Sequence, residues 1–221
     1  EDTVPAPDNF VGDGSNDSYG GNLNNNTAVG NAGNDTLGGK GGHDTLEGDA
    51  GADVLDGGTG QDVLYSDAPT GYYNRPYFGN PYTIPMLDRG SEADTLAGGD
   101  GDDVLSAGYG DNVDGGAGGD ALLISFQGAS GGVVFNLNLT SQVIGGATIQ
   151  NVESVIWIEG SEYNDTLTDN DGSSNFAPIF GMGGDDILVG GYYTGSLFGG
   201  EGNDTLDGRA SAYGFPQYGG A

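Results

Sequence analysis

Cysteine is absent, so the chain has neither a disulfide framework nor a thiolate site. Bases are nearly absent too. Lys40, Arg75, Arg89 and Arg209 stand against 33 acidic residues, a formal net charge of −29. Four scattered cations cannot form a basic patch, which excludes nucleic acid and anionic membrane surfaces as partners. His43 is the single histidine, so there is no HExxH zinc site and no Ser–His–Asp triad. No apolar run approaches membrane-spanning length, and membrane insertion is not expected. The opening residues EDTVPAPDNF lack the basic and apolar regions of a signal peptide; the expectation is that a leader was removed or that export takes another route.

What the chain has in excess is glycine, 47 of 221 residues, together with acid. With little aliphatic surface and strong self-repulsion, such a polymer stays expanded unless something cationic enters.

The excess is ordered. Residues 30–38 (GNAGNDTLG), 39–47 (GKGGHDTLE), 48–56 (GDAGADVLD) and 57–65 (GGTGQDVLY) are four consecutive nine-residue units. Each has Gly at its fourth place (Gly33, Gly42, Gly51, Gly60), Asp at its sixth (Asp35, Asp44, Asp53, Asp62) and Leu at its eighth (Leu37, Leu46, Leu55, Leu64). The frame runs upstream into 12–20 and 21–29, where Ser15 and Asn24 replace the fourth-place Gly, Asn26 the Asp and Ala28 the Leu. It resumes at 89–97, with Glu92 in the Gly place and Asp94 in the Asp place, and at 98–106, a full match. Residues 107–114 are one short, and 115–123 match again with Asp120 and Leu122. Between 124 and 159, VVFNLNL (133–139) alternates apolar and polar and IQNVESVIWIEG (149–160) is β-branched and apolar, both strand signals. The frame returns in 160–168 with Asp165, and from 172 in four more units. Only 181–189 and 199–207 of these carry Gly and Asp (Gly184, Asp186, Gly202, Asp204); Ala177 and Gly195 occupy the Asp place in the other two.

Catalytic constellations are missing, and the chain is read as a non-enzyme. The repeat already explains the close pairs Asp102/Asp103 and Asp185/Asp186 and the three Asn-Asp-Thr sequons. The Gly-rich runs do not open helices, so phosphate-loop readings fail. His43 is read as a solvent-facing turn residue, and Trp157 as core.

The nonapeptide resembles the RTX (repeats-in-toxin) family, whose repeat is a known calcium-binding parallel β-helix unit. The resemblance implies an all-β, right-handed parallel β-roll, a solenoid in which six turn residues and three strand residues form half a coil. Eighth-place residues would then form two facing ladders around a thin core. In the family each ion takes carbonyls two and four plus the Asp of one unit, with carbonyls one and three plus the Asp of the unit two further on. Carried over, this gives Asn31, Gly33 and Asp35 with Gly48, Ala50 and Asp53, and on the other edge Lys40, Gly42 and Asp44 with Gly57, Thr59 and Asp62. Gly99, Gly101 and Asp103 with Gly115, Ala117 and Asp120 would follow, then Met182, Gly184 and Asp186 with Gly199, Glu201 and Asp204. Asp94 and Asp165 complete the implied set, for roughly five to nine Ca²⁺ ions. Units 12–20 and 21–29 are expected to be weak or metal-free, as is the edge carrying Ala177 and Gly195. The unregistered acids Glu1, Asp2, Asp67, Glu153 and Asp169 are read as solvated surface charge.

The organisation expected is a lead-in or cap at 1–11 in which Val4, Phe10 and Val11 cover the end of the stack, repeat blocks at 12–65, 89–123 and 160–207, strand-rich calcium-poor coils at 124–159 and a tail at 208–221. A loop at 66–88 holds four prolines and the rings of Tyr72, Tyr73, Tyr77, Phe78 and Tyr82, which either fold back as local core or meet a partner. The resemblance implies a non-catalytic module secreted by a type I route and folding on calcium outside the cell, either free or at its surface, although the family's C-terminal export signal is not evident after 207. Two other readings stay open: a self-assembling or adhesive subunit of a surface layer, filament or matrix, and a carbohydrate-engaging module of a larger secreted enzyme.

Overall fold

The computed structural model describes residues 7–67, 72–73, 84–85, 87, 92–137, 139–169, 177–191, 194–208 and 217–219. Among them every regular element is a β-strand. One ten-stranded sheet runs the length of the molecule through Asn9–Val11, Thr27–Ala32, Thr45–Ala50, Val63–Tyr65, Val104–Ala107, Ala121–Ser125, Ser154–Glu159, Ile179–Gly183, Leu197–Glu201 and Gln217–Tyr218. It is faced first by a seven-stranded sheet, containing Ser18–Gly20, Thr36–Gly41, Val54–Thr59, Thr95–Asp100 and Asn112–Ala117, and then by a four-stranded one, Val134–Asn136, Thr166–Asp169, Ile187–Gly190 and Thr205–Asp207. The chain passes back and forth between the long sheet and its partner, and nearly all pairing is parallel, which makes the molecule a β-solenoid of the roll type.

Because side chains alternate across a strand, one apolar residue per unit points inward. Those residues stack in register. In the long sheet Ala28, Leu46, Leu64, Leu105, Leu122 and Val155 form one row. Opposite it run Tyr19, Leu37, Leu55, Leu96, Val113 and Ile149, and then Phe135, Leu167, Leu188 and Leu206. Most of these side chains are fully buried, each worth about 1.5–3 kcal/mol of transfer free energy.

The strands are longer than the three residues expected. Thr36–Gly41 and its neighbours span six, because backbone pairing continues from the seventh place through the third place of the next unit. The loop at 66–88 leaves the stack without disturbing it: Leu64 pairs with Leu105 and Leu55 with Leu96 across the excursion. Tyr72–Tyr73 pairs antiparallel with Ile84–Pro85, and Leu87 packs on the outer face of the long sheet against Leu123, Trp157 and Phe180. Trp157 is thus buried, but in an outer cluster and not inside the roll. Tyr77, Phe78 and Tyr82 lie outside the described residues. At 141–150 the chain makes an antiparallel hairpin, Ser141–Ile144 with Ala147–Gln150, turned by Gly145 and Gly146 at φ 63° and 94°. At the N-terminal end Phe10 stacks on Tyr19 with centroids 5.0 Å apart, whereas Val11 is 71% exposed and covers nothing; Val4 lies outside the described residues.

The rows predict a sharp contrast. Leu96→Ala should cost about 2–5 kcal/mol in urea unfolding at saturating calcium. Val54→Ala, half exposed one place earlier in its strand, should change stability by no more than about 0.5 kcal/mol. Equal costs would contradict an interior built on the eighth place.

Candidate metal sites at the turns

Between strands the chain reverses over places four to six. Fourth-place residues such as Gly33 (φ 128°), Gly51 (φ 135°) and Gly184 (φ 105°) need a left-handed backbone, which selects glycine. The second place is left-handed as well, even without glycine: Asn31 at 74°, Lys40 at 77°, Asp49 at 68° and Met182 at 78°.

The sixth-place carboxylates turn inward and are buried, 1% exposed for Asp35, Asp44, Asp53, Asp62, Asp103 and Asp186. One oxygen of each, Oδ1, accepts the main-chain N–H of the sixth residue one coil earlier. On one edge Asp17 donates to Asp35 (2.6 Å), Asp35 to Asp53 (2.7 Å), Asp53 to Asp94 (2.6 Å) and Asp94 to Asp111 (3.0 Å). On the other, Asn26 donates to Asp44 (2.6 Å), Asp44 to Asp62 (2.8 Å), Asp62 to Asp103 (2.7 Å) and Asp103 to Asp120 (2.9 Å). The first edge resumes with Asp165 donating to Asp186 (2.8 Å) and Asp186 to Asp204 (3.0 Å).

The other oxygen is treated in two ways. In Asp35, Asp44, Asp53, Asp62, Asp103, Asp120 and Asp186, Oδ2 is buried and receives no hydrogen bond. It faces a carbonyl instead. A Cβ on Gly30 would collide with both Asp35 Oδ2 and Gly48 O, one on Gly39 with Asp44 Oδ2 and Gly57 O, and one on Gly98 with Asp103 Oδ2 and Gly115 O. Gly181 is walled in the same way by Asp186 Oδ2 and Gly199 O. The first place is therefore glycine because two oxygens occupy the space beside it. Carbonyls two and four point the other way, toward the following coil: Lys40 O lies against Gly58, Gly33 O against Gly51 and Gly184 O against Gly202. Third-place carbonyls of Ala50, Thr59, Ala117 and Glu201 accept the N–H of Gly33 (2.9 Å), Gly42 (3.0 Å), Gly101 (2.8 Å) and Gly184 (2.8 Å), keeping a second lone pair each.

In Asp17, Asp111 and Asp165, by contrast, Oδ2 accepts a local N–H, from Asp13 (2.9 Å), Gly108 (2.7 Å) and Ser161 (2.6 Å). Asn26 does the same with Asn22 (2.8 Å). Asp165 is fully engaged, since its Oδ1 also accepts Val133 N–H (2.6 Å) and the Ser161 hydroxyl (2.8 Å).

Each of the four implied ligand sets is thus brought together on one edge, one coil apart. This includes Asp103 with Asp120, where the missing residue of 107–114 is absorbed in the turn at Gly108. Asp94 stands above Asp53. One acid read as surface charge is not: Asp169 is buried and takes the Thr194 hydroxyl (3.1 Å). Glu153 is exposed as expected, but it also accepts Asp120 N–H (2.9 Å), extending the ladder with a longer side chain. Asp67 is half-buried beside Asp49, Glu92 and Asp94, while Glu1 and Asp2 lie outside the described residues. Sequence reasoning also missed a second ladder on the outside. Fifth-place side chains accept the N–H of the next coil's fifth residue, as in Asn16 with Asn34 (3.0 Å) and Asn164 with Asp185 (2.9 Å). Exposed His43 is a rung of it, its Nδ1 accepting Gln61 N–H (2.8 Å).

Among the described residues no group of three His, Asp or Glu side chains converges as a metal site. Any cation here must draw most of its oxygens from the main chain. A hard divalent ion with six to eight oxygen ligands suits that donor set, and a thiolate- or imidazole-seeking metal does not.

Burial raises six of these carboxyls against the opposing hydrogen bond from the preceding coil, and neighbouring carboxylates add to it for all of the six but Asp44. Asp53, Asp62 and Asp120 are pushed up to about 6, and Asp186 to about 7. Asp44 and Asp103 are raised as well. Acids held above their ordinary value favour the fold when protonated. Their support is complete below about pH 4 and is lost as pH rises through about 6 to 7. With divalent ions chelated, acidification from pH 8 to about 4.5 should therefore increase strand content by circular dichroism; equal disorder at both values would contradict the buried placement.

No curated protein and no solved structure matches the chain. The family model described as RTX calcium-binding nonapeptide repeat (4 copies) matches residues 19–39, 38–68, 88–122, 157–173 and 180–212. These segments cover more than half of the sequence, and they leave out most of the 66–88 loop and of the apolar stretch from 124 to 159. The chain belongs to the RTX calcium-binding nonapeptide repeat family.

Proposed function

We propose that this calcium-binding structural module is a non-catalytic β-roll that completes its folding on calcium outside the cell, after export in an unfolded state. The observation that carries the reading is the set of seven buried Asp Oδ2 atoms, none with a hydrogen-bond donor, most of them beside a first-place glycine and the carbonyl of the following coil. Unpaired buried carboxylates facing carbonyls oppose folding at neutral pH. Bound calcium supplies the positive charge that this arrangement lacks, and extracellular modules bind it weakly enough to depend on external concentrations of about 10⁻⁴–10⁻³ M. Folding and binding are then one equilibrium.

In this reading Asn31, Gly33 and Asp35 act with Gly48, Ala50 and Asp53, and Lys40, Gly42 and Asp44 with Gly57, Thr59 and Asp62. Gly99, Gly101 and Asp103 act with Gly115, Ala117 and Asp120, and Met182, Gly184 and Asp186 with Gly199, Glu201 and Asp204. Asp94 acts with Asp53. Asp165 is left out, because N–H and O–H donors already satisfy both of its oxygens. The edge with Ala177 and Gly195 is metal-free for want of a sixth-place carboxylate.

Asp186 and Asp165 are adjacent rungs and give the test. At saturating calcium, equilibrium dialysis or native mass spectrometry should show Asp186→Asn one ion short of the parent chain. Asp165→Asn should bind the full number. A loss from Asp165→Asn together with none from Asp186→Asn would reverse the assignment, and a parent chain that binds no calcium would end it.

A further inference from the structure

The two kinds of turn differ by the orientation of one peptide group. In the turns at Gly12 and Gly21 the second-place N–H points to the turn's own Asp17 or Asn26, and the second-place residues, Asp13 and Asn22, are not left-handed. The carbonyls of Gly12 and Gly21 then face the following coil. There each meets a side-chain donor from that coil's second place: Asn31 Nδ2 donates to Gly12 O at 2.8 Å, and Lys40 Nζ to Gly21 O at 2.6 Å. In the turns of 48–56, 57–65, 98–106, 115–123 and 199–207 the second place is left-handed and the first carbonyl points back to the preceding coil, beside an Asp Oδ2 where that coil has an open one.

In the N-terminal half the second place of the following coil differs with this orientation, whereas Met182 above the closed turn of Asp165 carries no donor. Above the open carboxylates of Asp44, Asp62, Asp103 and Asp186 it is glycine: Gly58, Gly99, Gly116 and Gly200. Above Asp35 it is Asp49, a further carboxylate with a buried, unpartnered Oδ1. Above the two N-terminal closed turns it is an amide and an ammonium.

We propose that Lys40 is the chain's own cation at the first turn of its edge: its ammonium occupies the position from which calcium is excluded, and so fixes where that calcium ladder begins. Asn31 does the same with a neutral donor on the opposite edge. The consequence is an end that needs no metal. Coils 12–29 present turns whose Asp17 and Asn26 side-chain oxygens are hydrogen-bonded, with Asn26 Nδ2 buried and unpartnered, and the first calcium-bearing coils stack on them; the positive charge there is supplied covalently. The inference rests on the calcium reading above and concerns the two N-terminal turns that take no ion in it.

The test restores the missing parts of a site with and without the lysine. Asn24→Gly/Asn26→Asp supplies the fourth-place glycine and sixth-place carboxylate to the turn; adding Lys40→Gly removes the ammonium while keeping the second-place carbonyl. Bound calcium per chain, counted by native mass spectrometry, should equal the parent value in the double variant and exceed it by one in the triple variant. A gain in the double variant, or none in a folded triple variant, overturns the proposal. A parent count of zero would instead overturn the calcium reading itself. Should the triple variant not fold, Lys40→Met in the otherwise native chain serves. Loss of a charged donor should speed amide exchange in turn 21–26 by about tenfold at saturating calcium; unchanged exchange there overturns the proposal.

Discussion

Oxygen facing oxygen is the constraint on which this molecule is organised. Stacking coils in parallel brings the carboxylate of one turn against the first carbonyl of the next, with no donor between them and little water to screen them. Leucine rows alone give a roll one side chain thick on each side, and a net charge of −29 works against closing it. The main chain is otherwise well supplied. Fifth- and sixth-place N–H groups are taken by two side-chain ladders running in opposite directions, inner Asp Oδ1 and outer Asn, His or Asp. At the open turns described, the unsatisfied side-chain atoms are all carboxylate oxygens, which is why a cation answers them and a rearranged hydrogen bond does not.

The chain relieves the same constraint without metal where it can. In the turns carrying Asp17, Asn26 and Asp165 a local N–H turns onto the side chain, and the repulsion disappears. Between 124 and 159 apolar packing takes over: Phe126, Phe135, Val155 and Ile158 are fully buried, and Phe126 and Phe135 meet at 5.6 Å between ring centroids. Outside the long sheet, Trp157, Phe180, Phe198 and Tyr218 stack ring on ring at 4.6, 4.7 and 5.0 Å, a row that ties successive C-terminal coils together where one edge lacks sixth-place carboxylates. Metal-bearing and metal-free segments are thus two solutions to one stacking geometry, and they share the same sheet.

Much of this was legible in the sequence because a fixed period leaves little freedom. The spacing of Leu37, Leu55 and Leu96 gave the inward row, and Asp186 with Asp204 gave the shared edge, since these depend only on counting residues. Features set by three-dimensional neighbours were not legible. Nothing in the nonapeptide shows that Ser161 will saturate Asp165, or that Glu153, a longer side chain outside the frame, will reach Asp120 N–H. Asp169 looks like surface charge until Thr194 folds over it. Strand length was misjudged because glycine-rich places one to three read as turn, although parallel pairing holds them extended. The orientation of the first peptide was hidden as well, although above the two N-terminal closed turns the second place of the following coil carries a donor, Asn31 or Lys40.

The central claim is that these oxygens cannot be packed together at neutral pH without divalent cations. Small-angle X-ray scattering of the chain at pH 7.5, in excess chelator and then in excess calcium, addresses it most directly. The account predicts an expanded polymer in chelator, with a radius of gyration of about 50 Å, and collapse below about 25 Å with calcium. A compact particle of the same dimensions in both conditions would contradict it.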